Sequence, residues 1–183
     1  GTLSVTQAVL QVAADNKARV YGAANPPLTL SYRGWRNGDT THDLTVIPMG
    51  VTTASTATSV GQCLISVTNG VDENYAFDYT NGLLTIYAAT AVLSIGETQQ
   101  VYNGAARLVS VTTQPSNLNV RVTYAGRETA PTNAGNYAVE AIVAETNYVG
   151  TNTSVLTVSR APQAITAFLP SSGDYPSEKL LTL

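Results

Sequence analysis

The groups in this chain that could carry chemistry are few, and each stands nearly alone. His42 is the single imidazole and Cys63 the single thiol. Together with Asp39 and Asp43, His42 makes an Asp-x-x-His-Asp pattern. Zinc takes three or four protein ligands, and this inventory offers one nitrogen, so the pattern reads as a capped, solvated turn. A Ser-His-Asp arrangement with His42 as base is formally available, but no nucleophile elbow accompanies it. Cys63 sits in Cys63-Leu64-Ile65-Ser66-Val67, an alternating stretch in which a thiol behaves as a small buried hydrophobe. Catalysis needs titratable groups that converge in a cleft, and this composition scarcely supplies them. The reading is of a protein that is not an enzyme, with no catalytic residue assigned.

Binding chemistry has three weak starting points. Calcium takes oxygen ligands, and Asp72-Glu73-Asn74 is the best cluster for it, although the loop lacks the ligand spacing of an EF-hand. No cofactor is therefore expected, with calcium at Asp72, Glu73 and Asn74 as the alternative. Trp35 and the ten tyrosines could form an aromatic platform for a sugar. Most fall at alternating positions, where aromatics pack cores and sheet faces, so Trp35 is a ligand-binding candidate against a structural reading. Lys17 could form an isopeptide bond with an Asn, but Lys17 and Lys179 are the only lysines and no motif supports it. The stretch Thr52–Thr58 reads as a solvated strand or loop.

The composition says what elements must position these groups. Of 183 residues, 44% are hydrophobic and only 11% charged, against about 25% in a typical globular chain. Thr, Ser, Val, Ala, Asn and Gly favour strands and turns over helices. A formal net charge of −3 with nine scattered basic residues excludes a nucleic-acid footprint. No stretch approaches the roughly 18 apolar residues of a membrane span, so membrane insertion is not expected. Cys63 has no partner for an internal disulfide. Gly1-Thr2-Leu3 opens directly into strand-like alternation, so no signal peptide is expected in this stretch.

The chain repeats itself. Leu3–Val12, Leu84–Ile95 and Leu156–Ile165 share one pattern of alternating strand, short hinge and second strand, at immunoglobulin-module spacing. Four further landmarks follow in order. Val20-Tyr21-Gly22-Ala23 matches Val101-Tyr102-Asn103-Gly104-Ala105, and Leu30–Gly34 matches Val122–Gly126. Val60-Gly61-Gln62-Cys63 matches Ala134-Gly135-Asn136-Tyr137, and Asn74-Tyr75 matches Asn147-Tyr148. The expected organisation is 1–8 as the last strand of a preceding repeat, 9–89 and 90–161 as complete units, and 162–183 as the truncated start of another. Period-two alternation predicts strands over Thr2–Val12, Leu28–Trp35, Cys63–Val67, Tyr75–Tyr79 and Leu83–Tyr87. In the second unit it predicts Val92–Ile95, Leu108–Thr113, Val120–Tyr124, Tyr137–Val143 and Val155–Val158. Asn81-Gly82 predicts a type I′ hairpin. Asp39 or Thr40 could cap one helical turn reaching Leu44. The fold class is mainly β, two tandem Ig-like β-sandwich modules, the alternative being a β-grasp-like first unit.

Leu10–Gly22, Asn25-Pro26-Pro27-Leu28, Gly34–Thr40, Asn74-Tyr75 and Asn81–Thr85 resemble the MBG domain of the YGX type. Tyr102-Asn103-Gly104, Thr129–Tyr137 and Asn147-Tyr148 resemble the related MBG domain without that element. Gly61-Gln62-Cys63 departs from the family's Gly-x-Tyr, placing Cys63 where the second unit has Tyr137. The resemblance implies tandem modules of a large exported bacterial surface protein, adhesin-like, secreted or held at the cell surface. It carries no catalytic or ligand residues.

The function expected is a structural spacer whose partners are neighbouring repeats of the same polypeptide. The alternative is a module binding a host glycan or protein. The strand 1–8 has no partner of its own, and an unpaired edge invites another chain. A strand-swapped dimer is therefore expected; light scattering that shows only monomer across a dilution series would contradict it.

Overall fold

The computed structural model describes residues 1–163. It is built of strands, and the helical turn expected after Asp39 is a single 3-10 turn, Thr41–Asp43. Thr40 caps it: its hydroxyl accepts from His42 N, and Asp43 returns a carboxylate to Thr40 N. The first unit is thus all β, and the β-grasp alternative is set aside.

The first unit is two sheets face to face. Its first strand is shared between them: β1 (Ala8–Ala14) lies in one sheet and β2 (Lys17–Val20) in the other. β1 sits between β3 (Leu30–Arg33), antiparallel, and β6 (Tyr75–Thr80), parallel. The second sheet runs β2, β7 (Gly82–Tyr87), β5 (Gly61–Thr68) and β4 (Met49–Val51), with β2 parallel to β7. The crossing from β1 to β2 at Asp15-Asn16 is held by side chains. Asp15 accepts from the hydroxyls of Thr29 (2.5 Å) and Ser31 (2.6 Å), and Asn16 accepts from Leu83 N (2.8 Å). Those two hydroxyls, with Lys17 nearby, hold the Asp15 carboxyl below the usual carboxylate range.

The second unit repeats this plan strand for strand. β8 (Ala89–Thr90) and β9 (Val92–Gly96) stand for β1, and β10 (Gln99–Val101) for β2. β9 pairs with β11 (Ser110–Gln114), and β8 runs parallel to β14 (Tyr148–Val149). The other sheet is β10, β15 (Thr151–Ser159), β13 (Gly135–Val143) and β12 (Val120–Tyr124), with β10 parallel to β15.

Alternation fills the space between the sheets. Leu10, Val12, Ile65, Leu84 and Ile86 form the centre of the first core. Val139, Ala141, Leu156 and Val158 anchor the second, whose two clusters meet at Ile95 and Val122.

Three expectations are corrected. Asn81-Gly82 is not a hairpin, because β6 and β7 belong to different sheets and neither residue has positive φ. The chain crosses between sheets there, so close to the backbone that a Cβ on Gly82 would lie 2.5 Å from Ala14 O. Two turns have a pair of positive φ values: Asn37-Gly38 (54° and 83°), closed by Asp39 N donating to Arg36 O (2.9 Å), and Ala125-Gly126 (47° and 79°), closed by Arg127 N donating to Tyr124 O (3.0 Å). Second, Leu30–Gly34 and Val122–Gly126 are not counterparts. Leu30–Arg33 flanks β1, whereas Val120–Tyr124 flanks β13, the place that β4 holds beside β5. Both read Tyr-x-Gly before a turn, which made them look alike. Third, the strand expected from Thr2 begins at Ala8; Gly1–Gln7 forms none, and Leu3 and Val5 are exposed and pair with no strand among the described residues. The repeat start expected over 162–183 lies, from Ala164 onward, outside the described residues.

Each unit encloses its own core, so damage to one should stay local. Leu156 is fully buried, and Leu156→Ala should cost the second unit about 2–5 kcal/mol. Hydrogen exchange should show β13 and β15 loosened and the β5 and β7 amides nearly unchanged.

Candidate functional site

The residues singled out for chemistry do not converge. His42 is on the exposed capped turn, and the Asp43 carboxylate is taken by Thr40, with its pKa lowered by those hydrogen bonds. Asp39 accepts from Tyr75 Oη at 2.8 Å. Cys63 pairs with Leu84 and packs against the first core, as Tyr137 pairs with Leu156 in the second. Lys17 Nζ donates to Thr29 Oγ1 at 2.6 Å. Asp72 accepts from Asn74 N (2.8 Å) and Thr45 N (3.2 Å), so its carboxylate fastens its own loop. Among the described residues no group of three or more His, Cys, Asp or Glu side chains could hold a metal ion.

Trp35 sits in an aromatic stack. It lies on Tyr32 at 5.5 Å and 29°, and meets Tyr75 edge-on at 5.5 Å and 83°. Tyr75 is 4% exposed and its hydroxyl accepts from Arg36 N at 2.9 Å. Burial raises the Tyr75 phenol above its ordinary pKa, and the Asp39 carboxylate adds to this. The stack thereby ties the loop after β3 onto the core. Beside it, Leu28, Leu30, Tyr32, Pro48, Met49 and Gly50 line an open hollow of ≈ 290 Å³. A second, of ≈ 520 Å³, lies between Tyr124 and Tyr137 with Arg127 at its wall. Arg127 is the one charged residue in the two linings.

Several contacts also converge at the joint between the units. Only Ala88 separates β7 from β8. Beyond it, Ala89 N donates to Asn147 O (3.0 Å) and Ala91 N to Val149 O (2.8 Å). The Asn147 side chain then reaches back to the first unit: its Oδ1 accepts from Val60 N (3.0 Å) and its Nδ2 donates to Ser59 Oγ (3.4 Å). Tyr148 packs on the second core and meets Tyr21 of the first unit edge-to-face, 5.5 Å apart at 80°. Gly150 lets this loop turn, since a Cβ there would strike Ala91 O and lie 2.7 Å from Leu93 Cδ1.

Sequence reasoning found Tyr21, Asn147 and Tyr148 as repeat landmarks but not that they meet. The signal was the shortness of the hinge, which puts the end of one unit against the start of the next. It also missed Arg19, 7% exposed, whose guanidinium donates to Asn25 Oδ1 (2.7 Å), Val20 O (3.1 Å) and Ser55 O.

Residues 10–85 match the family model of the MBG domain (YGX type), and residues 91–162 match that of the MBG domain. No curated protein matches the chain.

Half-buried in a stack, Trp35 should be structural. Trp35→Ala is expected to lower first-unit stability by about 2–3 kcal/mol in urea unfolding followed by circular dichroism. Unchanged stability with loss of binding on a glycan array would instead mark it as a ligand site.

Proposed function

The chain belongs to the MBG domain family, a YGX-type domain followed by a second MBG domain, and we propose that it is a non-catalytic spacer of an exported bacterial surface protein. MBG domains occur in adhesin-like surface repeat proteins and are not known as enzymes. Among the described residues no helix is long and apolar enough to cross a membrane.

The observation that carries this reading is the joint. A single-residue connection, with a bridging amide and a tyrosine pair across it, supports one relative orientation of the units, and two backbone hydrogen bonds just beyond it place the Asn147-Tyr148 loop at the connection. Linkers that only tether are longer and rich in Gly or Ser. A part whose work is to set distance needs fixed orientation and no active groups. The aromatic stack and hollow near Trp35 favour a second reading, a module that binds a host glycan or protein.

Small-angle scattering on the whole chain tests the spacer. A particle of fixed maximum dimension, unchanged by added calcium, is expected. Combined Asn147→Ala and Tyr148→Ala should broaden the distance distribution while core amides stay protected. A broad distribution in the unaltered protein, or a change in length on adding calcium, would count against a self-sufficient rigid spacer.

A further inference from the structure

We infer that the exposed face carrying Tyr102, Asn133 and Ala134 is the seat for the Asn-Tyr loop of a further MBG unit, one of the second unit's type. This rests on the spacer reading and deepens it.

Strand register makes this face the counterpart of the one already occupied in the first unit. Gly61 pairs with Ile86 and Cys63 with Leu84; Gly135 pairs with Val158 and Tyr137 with Leu156. Ser59-Val60 therefore corresponds to Asn133-Ala134. Tyr21 N donates to Tyr87 O and Tyr102 N to Ser159 O, both at 2.8 Å, each beside a parallel strand pair. Tyr21 therefore corresponds to Tyr102. Ser59, Val60 and Tyr21 are the groups that Asn147 and Tyr148 touch. Tyr21 is half-buried under Tyr148, whereas Tyr102 is 41% exposed and Asn133 and Ala134 are exposed. The chain path repeats as well. Tyr87 leads through Ala88 to Ala89, and Ser159 leads through Arg160 to Ala161 in the same register.

The loop that would fill the seat is also a fixed feature of the unit. Ala8 N donates to Asn74 O (2.8 Å) just as Ala89 N does to Asn147 O. The aromatic that follows differs. Tyr75 meets Trp35 and Asp39 of its own unit, while Tyr148, packed at the edge of its own core, also meets Tyr21 of the unit before it. The occupant is thus a unit without the tryptophan stack, whose tyrosine is free to meet Tyr102.

An internal duplication tests this: residues 1–160 followed by 89–183, which keeps the whole chain and adds one second-type unit. Amide exchange at Ala134 is expected to slow at least tenfold, as its N–H gains the added Asn side chain. Asn→Ala in the added copy, at the residue equivalent to Asn147, should restore fast exchange. Val60 in the same sample reports the original joint. A protected Val60 with an unprotected Ala134, beside a folded added unit, overturns this inference alone. An unprotected Val60 counts against the rigid joint on which the spacer reading rests. An added unit that fails to fold in that place overturns the inference too, because the seat is then not one this unit can occupy.

Discussion

A one-residue connection constrains everything around it. With only Ala88 between β7 and β8, the chain has no length in which to swivel. It must begin pairing at once, and the partner it meets is the backbone of Asn147 and Val149. That pairing brings the Asn-Tyr loop of the second unit to the end of the first. Ser59, Val60 and Tyr21 then only have to be complementary to an amide and a phenol ring. The geometry of the inter-unit contact follows from the hydrogen bonds that the chain path already requires.

The same path creates a cost inside each unit. A first strand that leaves one sheet for the other exposes backbone groups at the crossing, and polar side chains must satisfy them. In the first unit Asn16 does this by accepting from Leu83 N, and beside it the Asp15 carboxylate accepts from the hydroxyls of Thr29 and Ser31, tying the crossing to β3. Just beyond, the buried Arg19 finds only neutral oxygens, from Asn25, Val20 and Ser55. It fastens the Thr-rich loop beside the joint, and Asn25 Nδ2 adds a bond to Ala54 O. In the second unit Gln100 holds the corresponding place, reaching the carbonyls of Glu97 (2.7 Å) and Leu108 (2.6 Å). A charged group and a neutral amide serve one purpose because the demand is for donors, not for charge.

Much of the fold was legible because alternation and repeat order are local signals. β5, β6, β7, β9, β12 and β13 lie within a few residues of the predicted strands. The strands that were missed, β2, β4, β8, β10 and β14, are two to four residues long, too short to show a period. Asn81-Gly82 carried hairpin composition but no information about which sheets its flanking strands join. The Leu30 and Val122 segments show the limit of motif matching: similar residues before a turn, on opposite sheets. Cys63 was read correctly as the counterpart of Tyr137, since a landmark glycine two residues earlier fixed the register. The joint was half legible: its residues stood out, but their meeting depends on orientation, which pairwise landmarks do not encode.

The parallel pairing of first and last strands has a mechanical meaning. β2 lies beside β7 and β10 beside β15, each pair running in the same direction. Tension on the polypeptide pulls the first strand of a unit backward and the last strand forward along their shared edge. Hydrogen bonds that lie across that edge are then loaded together in shear, not one after another as in an antiparallel hairpin pulled from its open end. A unit wired this way resists stretching along the chain more than its modest core would suggest, and the short connection passes the load to the next unit without slack.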